Sequence, residues 1–241
     1  MSKAAAAELA PTGVLRAGIN LSNFLLVSGR SPTGEPEGVA PDMARAVAER
    51  LGVSVNYVTF PRPGELADAA GKNVWDIGLI AAEPARAETI AFSPAYCEIE
   101  ATYLVPAGSS LNSIEQVDRP GVRIAIAERS AYDLWLARHL RHAELLRAPS
   151  LDASFDLFVD ENLDALAGLK PRLLQDVGKL PGARILDGRF TAVQQSIGTQ
   201  PGKPAGAAFL RDFIEDAKAS GLVGELIERH HVRGLSVAPP G

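Results

Sequence analysis

The stretch "GVAPDMARAVAERLGVSVNYVTF", residues 38–60, decides the fold class of this chain of 241 residues. Its apolar residues Met43, Val47 and Leu51 recur every four positions, which predicts an amphipathic helix. Gly52 suits the C-terminal end of that helix, and the residues after it alternate as in a strand. A loop, a helix and then a strand predict one unit of an α/β fold.

Strands and helices alternate on both sides of this stretch. The predicted strands are "VLRAGI", "VWDIGLIA", "GVRIAIA", "AELLRA", "LDALAGL", "ARILDG" and "TAVQQSIG". The predicted helices are "PGELADAAG", "SAYDLWLARHLRH" capped by Ser130, "SFDLFVDEN" and the segment 205–231. The last residues, "GLSVAPPG", are interpreted as a tail. The pattern predicts two α/β lobes, each with a mainly parallel sheet flanked by helices.

Composition excludes several classes of protein. The chain is 46% hydrophobic and 22% charged, and no apolar run approaches the roughly 20 residues of a membrane helix, so we expect a protein that is not embedded in a membrane. Its 24 Lys and Arg are scattered among 29 Asp and Glu, for a net charge of −5. That balance argues against nucleic acid as a partner.

Metal and redox chemistry have little support in the sequence. The single cysteine, Cys97, excludes an internal disulfide and is predicted to be buried and inert. The four histidines fall on predicted helices without the spacing of metal ligands, so we expect no metal and no cofactor. The first residues, "MSKAAAAELAPTG", lack the apolar core of a secretory signal, which predicts a cytoplasmic protein or one whose leader was removed.

Several blocks occur in an order that resembles a known family. They are "LRAGI", "GVAPDMARAVAERLGVSVNYV", "WDIGLIAAEPARAETIAFSPAY", "LNSIEQVDRPGVRIAIAERSAYDLWL" and "LRDFIEDAKASGLVGELIERH". Together, over residues 14–229, they resemble the type II periplasmic solute-binding proteins, specifically extracellular solute-binding protein family 3, which serves polar amino acid ABC importers.

The resemblance implies an architecture and a set of partners. It implies two lobes joined by two crossover strands, with a small ligand held in the cleft as the lobes close. We place lobe one at residues 1–104 and 198–241, and lobe two at 105–197. The expected partners are a small carboxylate ligand and an ABC transporter permease, the expected state is a monomer, and the expected location is the periplasm.

Arg86 is the first candidate site residue. The resemblance aligns it with the arginine that pairs with a ligand carboxylate in relatives, and a guanidinium offers a planar fork for such a pair. The alternative is an arginine that is solvated or paired with Glu83 or Glu88. Ser130 aligns with a small hydroxyl residue at a helix start, where it could complete an anion site or be a plain N-cap.

The remaining candidates are weaker. Asn23 and Phe24 follow the first strand, where relatives present an aromatic or polar wall, although either could be core. Tyr132 could line the ligand site or pack against a sheet, and Gln194 could contact the ligand through its amide.

The sequence departs from the family pattern at Ala81, Arg129 and Leu169. Ala81 stands where a hydroxyl residue is common, and Glu83 could supply a negative charge or be a turn residue. Arg129 replaces a glycine, and a cation there would favour an anionic ligand. Leu169 occupies the position of the aspartate that takes the ligand ammonium in relatives, which makes an ordinary α-amino acid doubtful because an unpaired buried ammonium is costly.

Three functions follow as hypotheses. The first is a binding protein that closes over a small carboxylate or similar anion, without catalysis. The second is an enzyme resembling the cyclohexadienyl dehydratases built on the same scaffold, with Glu128 or Glu83 as the acid. The third is a cytoplasmic ligand sensor.

Overall fold

The computed structural model describes residues 3–241, which divide into two compact units. The first unit runs to Glu98 and resumes with Gln194–Gly241, and the second unit is Ile99–Val193. The chain therefore crosses from one unit to the other twice.

In chain order the elements are α1 Lys3–Leu9, β1 Val14–Asn20, β2 Gly29–Arg30, β3 Pro36–Glu37, α2 Val39–Leu51, β4 Ser54–Phe60, α3 Pro63–Asp68, β5 Ile77–Ala81, α4 Pro84–Ala87, β6 Ala91–Val105, a 3₁₀ turn Ile114–Gln116, β7 Arg123–Ala127, α5 Ala131–His139, β8 Glu144–Ala148, α6 Leu151–Asp160, β9 Ala165–Leu169, α7 Lys170–Val177, β10 Arg184–Ile185, β11 Thr191–Thr199, α8 Pro204–Ala219, α9 Leu222–Arg229 and β12 Ser236–Val237.

The first unit is built on the strand order β4-β1-β5-β11. β1 runs parallel to both β4 and β5, and β11 returns antiparallel to β5. All five residues of β5 are buried, as the run "VWDIGLIA", apolar except for Asp76, predicts for a parallel strand inside a sheet. The second unit has the order β6-β9-β7-β8, in which β9, β7 and β8 are parallel and β6 is antiparallel to β9. The α/β fold class predicted from the sequence is confirmed.

Glycines fix both ends of α2. Gly52 ends the helix in the left-handed conformation, with φ 72°, as the sequence predicts. Gly38 precedes the helix with φ 145°, and a Cβ built there would lie 2.3 Å from the carbonyl oxygen of Leu26. Only glycine fits this position, and it sets the helix start at Val39.

The interpretation of residues 234–241 as a tail is wrong. Ser236 and Val237 pair with Glu98 and Cys97 of β6, and the Ala238 N–H donates to the Tyr96 carbonyl at 3.1 Å. The segment therefore adds a short strand beside β6, because its backbone groups form hydrogen bonds there.

The alanine-rich segment near the amino terminus is part of the first unit. Ala5 and Leu9 of α1 are fully buried, and the Glu8 carboxylate accepts a hydrogen bond of 2.7 Å from the Gly206 N–H at the start of α8. Cys97 is fully buried, as predicted, and burial raises the pKa of its thiol well above the ordinary value.

Candidate functional site

The first unit gathers five of the candidate residues at one edge of its sheet. β1 and β5 are parallel neighbours, so the loop after β1 and the turn after β5 leave the sheet at the same carboxyl end. Asn23 and Phe24 lie on that loop, and Ala81, Glu83 and Arg86 lie on that turn. In open α/β sheets, ligands bind at the carboxyl ends of the strands.

Arg86 is held at this edge by its own turn. Its side chain is 4% exposed and its Nη1 donates a hydrogen bond of 2.8 Å to the carbonyl oxygen of Ala81, the last residue of β5. The Arg86 carbonyl accepts from the N–H groups of Thr89 and Ile90 at 3.1 and 3.0 Å. The arginine is therefore buried and fixed at a strand end, and the alternative of a solvated side chain is wrong.

The neighbouring candidates shape the backbone around Arg86. Asn23 is buried, and its Oδ1 accepts from the Leu25 N–H at 3.2 Å in an Asx turn, while Phe24 is half-buried. The carbonyl of Glu83 accepts from the N–H groups of Arg86 and Ala87, both at 2.9 Å. These hydrogen bonds of Asn23 and Glu83 hold the two loops in place. This structural role does not depend on contact with a ligand.

Gln194 belongs to the same unit. Its carbonyl accepts from the Ala82 N–H at 2.9 Å, and its Nε2 donates to Glu98 Oε2 at 2.8 Å. The next residue, Gln195, is buried and pairs with Ala81 in the sheet. The two glutamines therefore lie beside the end of β5.

The second unit places the other candidates after β7. Ser130 caps α5, and its Oγ accepts a hydrogen bond of 3.1 Å from the Asp133 N–H. Asp133 reaches back in turn, because its Oδ2 accepts from the Arg129 N–H at 2.7 Å. Its Oδ1 pairs with Arg147 Nε at 2.9 Å, and the residue is 3% exposed. Sequence reasoning missed Asp133, although the spacing Ser-x-x-Asp is that of a capping box and could have revealed it.

Arg129 and Tyr132 flank the Ser130 cap. Arg129 is exposed and has a φ of 57°, in the left-handed region that favours glycine. Tyr132 is buried, and that burial raises the pKa of its hydroxyl to about 12 against the opposing effects of Ser130 and Arg172.

Leu169 ends β9, which lies beside β7 in the sheet, so its position shares the carboxyl edge with Ser130. It is buried and occupies the N-cap of α7 without a side-chain cap hydrogen bond. The following residue, Lys170, pairs through Nζ with Glu100 Oε2 at 3.0 Å. Glu100 also lies 3.6 Å from Arg189 Nη1. This edge therefore carries an apolar side chain followed by a cation.

Across residues 3–241, no group of three or more His, Cys, Asp and Glu residues is arranged to hold a metal ion. Over the same described residues, no helix combines the length and the apolar character that crossing a membrane requires.

Comparison with solved structures gives relatives of the same fold at low identity. An ancestral amino acid-binding protein, described as a precursor of cyclohexadienyl dehydratase, is 22% identical with a TM-score of 0.72, over 92% of this chain and 97% of that one. A binding component of an ABC transporter from Wolinella succinogenes, complexed with lysine, is 20% identical with a TM-score of 0.74, over 90% and 95%. A histidine kinase sensor domain is 15% identical with a TM-score of 0.75, over 93% and 98%.

Comparison with curated proteins finds no match. The model of the bacterial extracellular solute-binding proteins, family 3, matches residues 19–233, which is most of the chain. The chain belongs to the bacterial extracellular solute-binding proteins of family 3.

Proposed function

We propose that this family 3 protein binds a small carboxylate-bearing solute as a component related to an ABC importer, with Arg86 as the carboxylate clamp. The observation that carries the proposal is the placement of Arg86, 4% exposed and tied to Ala81 at the carboxyl end of β5. A guanidinium fixed in one orientation loses little freedom when it forms a bidentate pair, and burial strengthens that pair.

Ser130 is the candidate binding residue of the second unit. Its Oγ accepts from the Asp133 N–H, and its hydroxyl also hydrogen-bonds to the Tyr132 side chain, a partner that a ligand anion would replace. The first-turn N–H groups of Ala131 and Tyr132 have no acceptor within the helix. Relatives in the comparison include amino acid-binding proteins, so amino acids and their analogues are the solutes to test first.

A thermal-shift screen tests this function, because a ligand that binds the folded protein raises its melting temperature by mass action. The screen covers amino acids, oxo acids, dicarboxylates and aromatic acids, with the wild type, Arg86→Ala and the exposed control Arg119→Ala. We expect one class of compound to raise the melting temperature of the wild type and of Arg119→Ala but not that of Arg86→Ala. Equal stabilisation of all three proteins would remove Arg86 from the site.

A dehydratase is the second candidate, favoured by the similarity to the precursor of cyclohexadienyl dehydratase. Of its proposed acids, Glu83 is half-buried and Glu128 is exposed. Incubation with prephenate decides between the two, since release of phenylpyruvate faster than in the same buffer without protein would require an enzyme.

The family description, extracellular, favours a location outside the cytoplasm over the cytoplasmic sensor. Fractionation of cells that express the gene from its natural start tests this. Recovery in the cytoplasmic fraction would support the sensor instead.

A further inference from the structure

Gln195 of the first unit has a buried amide that no other group of the chain uses. The residue is 4% exposed, and over residues 3–241 its side-chain amide forms no hydrogen bond. The fully enclosed unpaired atoms of that range are Tyr96 Oη, Arg184 Nη1 and Ser196 Oγ, so neither amide atom of Gln195 is sealed from outside. A buried donor and acceptor that remain within reach of a visiting group indicate a place where a polar group of a ligand binds.

The neighbouring glutamine, Gln194, has its amide in use. Its Nε2 donates a hydrogen bond of 2.8 Å to Glu98 Oε2. Consecutive residues of a strand point to opposite faces of the sheet, so the two glutamine side chains lie in different surroundings. Of the two, Gln195 is therefore the one that a ligand can meet without breaking a hydrogen bond inside the chain.

Gln195 lies directly beside the strand end that holds Arg86. It is paired with Ala81 across β11 and β5, and the bond from the Ala82 N–H to the Gln194 carbonyl marks the adjacent hydrogen-bonded pair. Gln195 and Ala81 therefore form a non-hydrogen-bonded pair, in which the Cβ atoms lie about 4.5–5.5 Å apart. Since the Ala81 carbonyl accepts from Arg86 Nη1 at 2.8 Å, one small residue separates the backbone of Gln195 from the guanidinium.

Asn23 adds a second neutral donor at the carboxyl edge of the same unit. It is 9% exposed, and the bond of 3.2 Å from the Leu25 N–H to its Oδ1 fixes the amide in one orientation. Within the described range, its Nδ2 forms no hydrogen bond. Its loop follows β1, the parallel neighbour of β5, so Asn23 shares the edge with Arg86. The edge therefore combines a guanidinium with uncharged amide groups.

We propose that Gln195 binds the ligand beside Arg86 and determines its specificity by receiving a carboxamide group. The proposal rests on the proposed function, in which Arg86 takes the ligand carboxylate. A carboxamide offers one acceptor and one donor to match Nε2 and Oε1 of Gln195, and its oxygen has a second lone pair for Asn23 Nδ2. All three residues belong to the first unit.

A carboxylate in place of the carboxamide fits this environment less well. It has no N–H for Gln195 Oε1, so a buried acceptor would be left unpaired, and sites built for a hydrogen bond discriminate strongly for that reason. The acidic residue of this edge, Glu83, is half-buried, and its charge opposes a second carboxylate on the ligand. We therefore expect the ligand to be a monocarboxylic acid that bears a carboxamide.

Matched pairs of compounds test the ligand class by calorimetric titration of the whole protein. Succinamate is compared with succinate and L-glutamine with L-glutamate, because each pair has nearly the same shape and differs by amide against carboxylate. In at least one pair we expect the amide to bind at least about tenfold more tightly. A smaller preference in both pairs overturns the inference, and so does the absence of binding by all four compounds.

Gln195→Leu tests the residue, with the exposed Gln175→Leu on α7 as the matched control. Leucine is similar in size and removes a buried amide that has no partner in the chain, so we expect the ligand-free melting temperature to stay the same or to rise. The readout is the ratio of amide to carboxylate affinity, because a general loosening of the fold would lower both affinities alike. We expect the ratio to fall at least about fivefold in Gln195→Leu and to stay unchanged in the control. An unchanged ratio in Gln195→Leu would exclude Gln195 as the determinant.

Failure of this inference is distinguishable from failure of the proposed function. If only the inference fails, carboxylates bind and depend on Arg86, but without preference for the amide or without dependence of that preference on Gln195. If the proposed function fails, no carboxylate binds in a manner that depends on Arg86.

Discussion

Arg129 adopts a backbone conformation that a side chain disfavours. Its φ of 57° is left-handed, which costs a residue with a Cβ about 1–2 kcal/mol, and the Asp133 carboxylate holds its N–H in that geometry. We expect Arg129→Gly to raise the free energy of unfolding by about 0.5–1 kcal/mol, since glycine's own entropic cost offsets part of the gain.

Urea denaturation measures this effect, with Arg129→Ala as the matched control. Alanine removes the same side chain but keeps the Cβ, so it should show no gain. If the alanine and glycine variants were equally stable, the left-handed backbone would not be the cause.

The sequence indicated which residues are candidates for the site better than it indicated their burial and their hydrogen-bond partners. Arg86 could be singled out because five blocks in order resemble the family and align it with the arginine of relatives, but its burial and its bond to Ala81 depend on how the turn folds onto β5. The spacing Ser-x-x-Asp could have revealed Asp133 as part of the cap, but its pair with Arg147 on β8 could not be read from the sequence. The left-handed backbone at Arg129 was signalled only by the glycine of relatives.

The N-terminus of α5 contributes to the stability of the fold and also carries a proposed ligand contact, Ser130. Ser130 and Ser150 cap α5 and α6 in the same way, each Oγ accepting a hydrogen bond of 3.1 Å from the N–H three residues later. We expect Ser130→Ala and Ser150→Ala to lose similar stability, about 1 kcal/mol each.

Only the Ser130 variant should also weaken ligand binding, by severalfold, because its hydroxyl is the proposed contact. Melting temperatures and titration calorimetry on both variants separate the two effects. If Ser130→Ala and Ser150→Ala bound the ligand with equal affinity, Ser130 would act only as a helix cap.

The elements were predictable where the pattern was local. α2 and the strands β1, β5 and β7 follow from periodicity and turn residues within their own segments. β12 was not predictable, because two residues form it only through pairing with β6, which lies far away in the chain. α1 likewise owes its place to packing against α8 and to the bond from Gly206 to Glu8.

The whole molecule is expected to lose stability in alkali. All four tyrosines have a raised pKa, with burial as the main cause. The pKa of Tyr132 rises to about 12, from 10.0 in the unfolded chain. The folded state holds these protons more tightly than the unfolded chain does. The resulting contribution to the free energy of unfolding is therefore complete below pH 10 and is lost as the pH rises through the raised pKa values.

Absorbance at 295 nm, measured from pH 8 to pH 12.5, tests this expectation. Little tyrosinate should form near pH 10, and most should form together with the loss of circular dichroism. Titration of the tyrosines at ordinary values in the folded protein would contradict the burial described for them.

The central claim, that Arg86 clamps a ligand carboxylate, is tested most directly by isothermal titration calorimetry with the acid that stabilises the wild type best. Arg86→Lys keeps the charge and loses the planar fork, Arg86→Ala loses both, and Arg119→Ala is the control. The account predicts affinity that falls by about tenfold in the lysine variant and by about a hundredfold or more in the alanine variant, with the control unchanged. Wild-type affinity in a folded Arg86→Ala protein would contradict it.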